Sequence, residues 1–591
     1  MEPSCMEDPE NTEIIEYMNI ALKKLKMWVE KREFTSKSER FEGRTPVGAV
    51  TAPIKGMDHI FVVISRENED YIPQLEQNLL IYEEKGNEIL SGVVEDYRVS
   101  KSDIQEGTAL LKVKLLKSHG VSLRDIRRIK GIPNPGAPVF QALTEEILEI
   151  HGLPAPAEGI ALGVICDEED IMRIQDIPVK YILKDSFLAK HIAIGGLTGQ
   201  GKSILLKNLI FEMTEKNTNL IVIDTQGDLC QIMKPMLEEF LDIDTEIMLH
   251  DLNLPLEGLE KHLLIKDMSF YKPFFVNVEG FLNIFPWKEF GLESKTVETG
   301  EELGLYLPNL TPKAQIVLDA LFKTFMEQRE RFHFADFYAW INSSKQEDKN
   351  QFTWASENSY EIQASKPTAQ NLLRELANFH SRQIFDRVAQ PDIREILSKK
   401  IAFFYIPRLK GYEELRTLLL FELISKIISY KTQAANRGIV EEFLKRQSIV
   451  MIDEAHELIP NPHGVGGHDN LFSKHVDEEF TILATEGRKY MVSIISASQS
   501  LRKLNPNVVE QSNTLILFRG SKADIDTLSI PSPLKKELLA LKVGNALVYC
   551  PGNLPIKSAC EIRIYPPRFL HVNPLKATTL FLDGHIKKYK F

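Results

Sequence analysis

The 591-residue chain is predicted to be an α/β protein, built on a parallel sheet with helices on both faces and preceded by a small β-barrel. Three observations carry this prediction. Beyond about Lys190, near-continuous apolar runs recur (HIAIG, LIVID, IAFFYI, SIVMID, VSIISAS, TLILF), several followed by amphipathic helical patterns, as expected of strands buried on both faces. The first of those runs enters a glycine-rich turn and then a helix, the order a phosphate-binding loop requires. Between Val47 and about Leu116, shorter β-rich runs (VGAVT, HIFVVIS, LLIYEE, ILSGVVEDYRV, ALLKVKLL) alternate with Gly, Asn, Asp and Ser. Closing five or six such strands into a barrel removes their exposed edges.

Composition bounds the function classes. Hydrophobic residues make up 43% and charged residues 26%, which suits large buried cores, and the length suits about four domains or subdomains. Lys plus Arg is 71 and Asp plus Glu is 83, a net charge of −12, which excludes coating nucleic acid by bulk positive charge but permits a local basic channel. Cys5, Cys166, Cys230, Cys550 and Cys560 are dispersed and form no CxxC pair, against both a disulfide framework and a zinc site. The opening MEPSCMEDPE is acidic, and no apolar run approaches the ~18 residues of a membrane span. These features predict a soluble cytoplasmic protein with no integral membrane segment.

In chain order, residues 1–40 read as an acidic lead and a helix near Thr12–Arg32, whose Ile14, Ile15, Met18, Ile20, Leu22, Leu25 and Trp28 recur at helical spacing and predict docking. Residues 41–185 hold the barrel and its connection, with Gly159–Ile165 as a later strand after a Pro- and Gly-rich stretch around Gly131–Pro138. Residues 186–230 and 396–566 form the two parts of the α/β core. Between them, 231–395 read as a helical insertion. One of its helices starts at Thr311-Pro312 and presents Leu318, Leu321, Phe322 and Phe325; another presents Leu372, Leu373, Leu376 and Phe379. Residues 567–591 form a C-terminal tail.

The chemistry starts at HIAIGGLTGQGKS. Gly196, Gly199 and Gly201 let backbone N–H groups turn toward phosphate oxygens, and the following helix N-terminus adds its dipole. Lys202 is placed to reach the β/γ-phosphates of ATP, and the Ser203 hydroxyl to bind Mg²⁺, a cation that takes oxygen ligands. SIVMIDEAHE delivers Asp453 and Glu454 to the C-terminal end of a strand, where open α/β sheets bind ligands. Asp453 would hold the Mg²⁺ shell through water and Glu454 would orient and deprotonate the attacking water. A strand ending in Asp-Glu is weak evidence alone, but with the phosphate loop it points to hydrolysis. His456 and Glu457 read as helix-start residues rather than metal ligands.

Other residues carry two readings. Gln499, ending YMVSIISAS, is either a γ-phosphate contact that reports phosphate loss or a polar strand terminus. Arg488, in EGRKY at a helix-to-strand junction, is either an arginine finger acting in trans or a surface arginine, and Arg519, closing TLILFR, is its rival. Asp224, at the tip of LIVID, either supports the Mg²⁺-bound water network or caps the next turn.

Taken in order, GLTGQGKS, VIDTQGDL, VMIDEAHE, EGRKYMVSIISASQS and QSNTLILFRG resemble the HerA branch of the HerA/FtsK superfamily of hexameric DNA-translocating ATPases, over most of the chain. EGRK followed by a strand ending in SQ is the most discriminating signature. The resemblance implies an N-terminal HAS β-barrel, a RecA-like core, a helical bundle inserted in it, and a C-terminal brace reaching a neighbouring subunit. It further implies a homo-hexamer that threads duplex DNA and works with a NurA-type nuclease in end resection, or with other effectors in antiphage defence. Lys202, Ser203, Asp453, Glu454 and Gln499 match the family motifs, and Arg488 matches the trans finger. A translocase needs positive charge only along its channel, so −12 per subunit is compatible with that role. The glycine-rich Asn461–His475 is then either a loop facing the channel or a neighbour, or a surface loop. The competing functions are a peripheral secretion or conjugation ATPase, and a nucleotide-dependent hexameric scaffold for an effector.

Overall fold

The computed structural model describes residues 17, 19–28, 39–53, 59–65, 77–83, 88–98, 108–119, 123, 126–129, 133–150, 153–154, 156–167, 170–174, 177–307, 309–327, 329–355, 361–410, 412–439, 441–461, 481, 487–554 and 558–586. They fall into two units, one drawn mainly from residues up to Ala157 and the other mainly from Glu158 onward.

The first unit contains the barrel. Strands β1 (Gly48–Pro53), β2 (His59–Ser65), β3 (Asn78–Glu83), β4 (Glu88–Arg98) and β5 (Thr108–His119) match the five predicted runs. A two-residue strand β6 (Ile126–Arg127) extends β5. The strand between β1 and β3 is β7 (Pro138–Gln141), and the β2–β5 pairing closes the ring. Period-two alternation sorts the side chains: Val50, Ile60, Val62, Ile64, Leu79 and Ile81 fill the barrel, while their neighbours Ala49, Val63, Leu80 and Tyr82 face a second cluster. That second cluster also takes Ala21, Leu25 and Trp28, so the described part of the N-terminal helix docks on the barrel wall. Arg44 crosses this face, donating to Glu146 Oε1 at 2.8 Å and to the Gln141 carbonyl at 2.6 Å.

The strand predicted at Gly159–Ile165 has a different partner. As β8 (Gly159–Asp167) it joins the sheet of the second unit, between β12 (Lys180–Lys184) and β25 (Ala559–Ile564), and its end pairs with β9 (Asp170–Ile171). Its apolar run is nearly continuous, which suits a two-sided sheet better than a barrel wall. Gly163 lets the backbones close, since a Cβ there would lie 2.2 Å from the Arg563 carbonyl oxygen. The barrel's sixth strand is the short PVFQ, which starts at Pro138, where the stretch read as a connection ends. A small hairpin, β10 (Arg173–Ile174) and β11 (Ile177–Pro178), belongs to the first unit.

The remaining strands of the large sheet are β13 (His191–Gly195), β14 (Thr218–Asp224), β15 (Met268–Pro273), β16 (Lys288–Phe290), β20 (Ile401–Tyr405), β21 (Gln447–Ile452), β22 (Val492–Ser498), β23 (Ser512–Leu517) and β24 (Asn545–Tyr549). Their order is β12-β8-β25-β24-β23-β13-β22-β21-β14-β20-β15-β16. From β23 to β16 every neighbouring pair is parallel, and from β12 to β23 every pair is antiparallel. All six predicted core strands are present. The chain leaves β13 in one direction and returns to β23 on its other side, so the crevice beyond the strands' C-terminal ends opens at β13.

The stretch 231–395 is not wholly helical. Helices Pro312–Met326 and Lys366–Ser381 form as predicted, the first capped by Thr311 Oγ1, which accepts from Ala314 N. However, β15 and β16 extend the parallel sheet beyond β20, and β17 (Lys345–Glu347), β18 (Gln351–Ala355) and β19 (Glu361–Ser365) form an antiparallel meander around buried Trp354. MSFYKP lacks the aliphatic run of the other core strands, yet tertiary pairing makes it a fully buried strand.

The described tail, 567–586, lies against its own chain: Gln231 and Val572 exchange two hydrogen bonds of 2.8 and 3.0 Å, and Ala577 and Leu580 of helix Pro574–Leu582 are buried. The sheet topology predicts where a truncation is tolerated. A chain starting at Pro156 keeps every strand of the large sheet and is expected to unfold cooperatively and bind an ATP analogue by calorimetry. A start at Tyr181 deletes β8, strands the hydrogen-bonding edges of β12 and β25, and is expected to abolish cooperative unfolding.

Candidate nucleotide site

β13 is buried along its length and ends at the glycine turn. Gly196 has φ +152°, and a Cβ there would stand 2.5 Å from Phe518 Cβ; Gly201 has φ +114°, with its Cβ 2.8 Å from Ile564 Cδ1. A side chain at either position would displace the loop, so Gly196→Ala is expected to lower stability by about 1–3 kcal/mol, read as a lower denaturation midpoint. Helix Lys202–Thr214 starts immediately after this turn, and Lys202 and Ser203 line the cleft in front of it. Lys202 Nζ donates to the carbonyls of Gly196 at 2.7 Å and Leu197 at 3.0 Å. Burial lowers its pKa, opposed by the nearby Glu454 and Asp453 charges.

Asp453 follows β21, its N–H donating to the Ile223 carbonyl at 3.1 Å, and its carboxyl is almost wholly buried. Burial, followed by the charges of Asp224 and Glu454, pushes its pKa well up. Glu454 sits in the left-handed region at φ +47°, an uncommon conformation for a residue with a side chain. Its Oε1 accepts from Gln499 Nε2 and its Oε2 from the Gln499 N–H at 3.3 Å. The Gln499 amide oxygen in turn accepts from the Thr198 hydroxyl at 2.8 Å. One line of hydrogen bonds therefore runs from the phosphate loop through Gln499 to Glu454. His456 Nδ1 stands 3.4 Å from Glu454 Oε2 and 3.1 Å from Ser498 Oγ. Burial lowers the His456 pKa, against the raising effects of Glu454 and Glu457. Glu457 accepts from Arg416 at 3.2 Å, and that buried guanidinium also donates to the Ile406 carbonyl, which ties down the turn Ala455–Glu457.

Ser203 and Asp453 offer hard oxygen donors, and Asp453 lies among other carboxylates that a divalent cation would relieve, so the residues fit Mg²⁺ with nucleotide phosphates. Among the described residues no group of three or more His, Cys, Asp and Glu side chains is arranged to hold a metal ion.

The other predicted residues are dispersed. Asp224 caps its turn: Oδ1 accepts from Gln226 N at 3.1 Å and Gly227 N at 2.7 Å, and Oδ2 from Cys230 N at 3.2 Å. Burial raises its pKa, and Gln226, two residues on, lines the cleft. Gly199 lies in open space at the cleft mouth. Arg519 is exposed beside its own phosphate loop, its carbonyl accepting from Leu197 N at 3.0 Å. Arg488 is exposed in the turn Gly487–Tyr490, which precedes β22, whereas Gln499 follows that strand. An extended strand of seven residues separates the two by about 20 Å. The turn is anchored through Met491, whose carbonyl accepts from Ser448 N at 2.9 Å and from buried Lys431 Nζ at 3.1 Å. Of Asn461–His475 only Asn461 lies within the described residues; it bonds the carbonyls of Lys503 at 2.8 Å and Arg502 at 3.0 Å.

The cleft has a wall that the sequence did not announce. Arg563–Pro567 and His571, from the end of β25 and the tail, line it together with the phosphate loop and with Met248 from helix Ile243–Asp251. Pro566-Pro567 after a strand was the available signal.

A family model described as "Helicase HerA, central domain" matches residues 162–428. This central segment is of the HerA type. The HerA match contains the phosphate loop and Asp224, while Asp453, Glu454, Arg488 and Gln499 lie beyond it. Two Methanocaldococcus jannaschii proteins named as probable helicases are similar: MJECL08 is 23% identical over 64% of this chain and 66% of its own length, and MJ1565 is 21% identical over 71% and 69%. Among solved structures, VirB4 of Thermoanaerobacter pseudethanolicus aligns with TM-score 0.41 and 14% identity, covering 70% of this chain and 98% of that one. The bacterial conjugative coupling protein TrwB aligns with TM-score 0.43 and 12% identity, covering 73% and 94%. No helix among the described residues is long and apolar enough to cross a membrane.

Proposed function

We propose that the chain hydrolyses ATP with Mg²⁺ as a homo-hexameric ring and uses the cycle to thread duplex DNA. The observation that carries this reading is the split site: Thr198, Gln499 and Glu454 are joined at one end of β22, and Arg488 stands at the other end. Arg488 therefore cannot serve its own phosphate loop, and a ring supplies a neighbour's. Bound ATP supplies the phosphoryl group that is transferred to water. Backbone N–H groups of Gly199–Ser203 and the Lys202 ammonium hold its phosphates. Ser203 through its hydroxyl, and Asp453 through water, would hold the cation, which would neutralise phosphate charge. Glu454 takes the proton of the attacking water at its carboxylate, while Gln499 keeps that carboxylate in place and senses the phosphate through Thr198. Arg488 from the neighbour and, in cis, Arg519 are the guanidinium groups available to the developing charge. The HerA resemblance extends the proposal to a NurA-type nuclease or a defence effector as partner, with a cytoplasmic location.

The test is the ATPase rate with and without duplex DNA across a salt series. Stimulation by duplex, with binding that weakens steeply as salt rises and little sequence preference, is expected of a channel that contacts phosphates. Hydrolysis indifferent to DNA, in rings that still assemble with nucleotide, would favour the scaffold role.

A further inference from the structure

The geometry points to His456 as a positioning residue that holds the Glu454 carboxylate for catalysis, an inference that rests on the ATPase reading above. The hydrogen bonds around Ser498 settle which imidazole nitrogen carries a proton. Ser498 Oγ donates its one hydrogen to the Ser500 carbonyl at 2.8 Å, and the same oxygen accepts from Ser500 N at 3.1 Å. Its remaining contact, 3.1 Å to His456 Nδ1, therefore needs Nδ1–H as the donor. The same nitrogen, its hydrogen bond directed to the serine, stands 3.4 Å from Glu454 Oε2, so the N–H dipole acts on the carboxylate by electrostatic attraction rather than by a hydrogen bond.

The carboxylate is thereby flanked on two sides. Gln499 approaches with its side-chain and backbone N–H groups, and His456 approaches Oε2, whose other partner is the longer 3.3 Å backbone bond. A neutral imidazole fixes the orientation of Glu454 without cancelling its charge, which leaves it basic toward water. The need for support is local. Glu454 has a left-handed backbone at φ +47°, and a carboxylate on a strained residue relaxes when one of its holders is removed. Ser498 closes β22 one residue before Gln499, so the strand that carries Gln499 also fixes the imidazole.

The experiment is steady-state ATPase kinetics on the full-length chain, with nucleotide affinity and thermal unfolding measured in parallel. His456→Ala is expected to lower kcat by roughly 10- to 100-fold with KM for ATP nearly unchanged. His456→Asn, whose amide nitrogen can replace Nδ1–H, is expected to recover most of that loss, while His456→Gln, which reaches past that position, should not. In a Glu454→Gln background, His456→Ala is expected to remove little further activity, because the group it positions is already disabled. Wild-type kcat in His456→Ala overturns the inference. So does an equal fold-loss in both backgrounds, or equal activity of the Asn and Gln variants; the last comparison still decides if the alanine variant does not fold. Full activity of Glu454→Gln instead removes the base role itself, and so tells failure of the ATPase reading from failure of the His456 assignment.

Discussion

Glu454→Gln is expected to bind an ATP analogue as tightly as the wild type and to hydrolyse ATP roughly 100- to 10,000-fold more slowly. Glutamine preserves the size of the side chain, and its one amide oxygen can still accept from Gln499 Nε2, although its NH2 cannot accept from the Gln499 backbone N–H; the Thr198–Gln499 bond does not involve residue 454 and is retained. Glutamine cannot take a proton from water. Lys202 is unaltered, so the phosphates keep their cradle; the lowered pKa of Lys202 is set mainly by burial, with Glu454 a smaller, opposing influence. Calorimetry with a non-hydrolysable analogue and a phosphate-release assay separate the two effects. Unchanged turnover would remove Glu454 from the base role.

The second large effect is subunit complementation. Arg488→Ala disables a finger donor and Lys202→Ala disables an acceptor, so each alone should reduce ATPase to near background. Mixed rings contain interfaces in which an intact Lys202 site faces an intact Arg488, and they should regain a fraction of wild-type activity. The geometry explains why no ring of one variant can do so, since β22 separates Arg488 from Gln499 in the same chain. If mixed rings form, shown by co-purification of two differently tagged chains, and remain inactive, Arg488 is not the finger. Arg519, beside its own phosphate loop, is then the remaining arginine to test in cis.

The phosphate loop and the six core strands were legible because their signals are local: glycine where φ is positive, and apolar runs long enough to be buried on both faces. Five barrel strands were legible from alternation. PVFQ was not, because four residues hold too few alternations, and GIALGVI was legible as a strand but not as a member of the large sheet, because a strand carries no label for the sheet it will join. MSFYKP is a strand through its pairing with β20 rather than its composition. At the site, the phosphate loop, Asp453 and Gln499 directly follow the C-terminal ends of β13, β21 and β22, where the strand patterns predicted them. The Thr198–Gln499–Glu454 line, the imidazole of His456 and the C-terminal cleft wall depend on contacts between segments distant in sequence, which periodicity and spacing do not encode. For Asp224, the sequence left two readings open, and the structure shows it accepting three turn N–H groups.

The central claim, that hydrolysis drives movement along duplex DNA, is tested most directly by displacement of a third strand from a triplex placed on a linear duplex. ATP-dependent displacement is expected from the wild-type chain, with none by Glu454→Gln and none with a non-hydrolysable analogue. Undisplaced triplex in the presence of continuing ATP hydrolysis on the same DNA would contradict it.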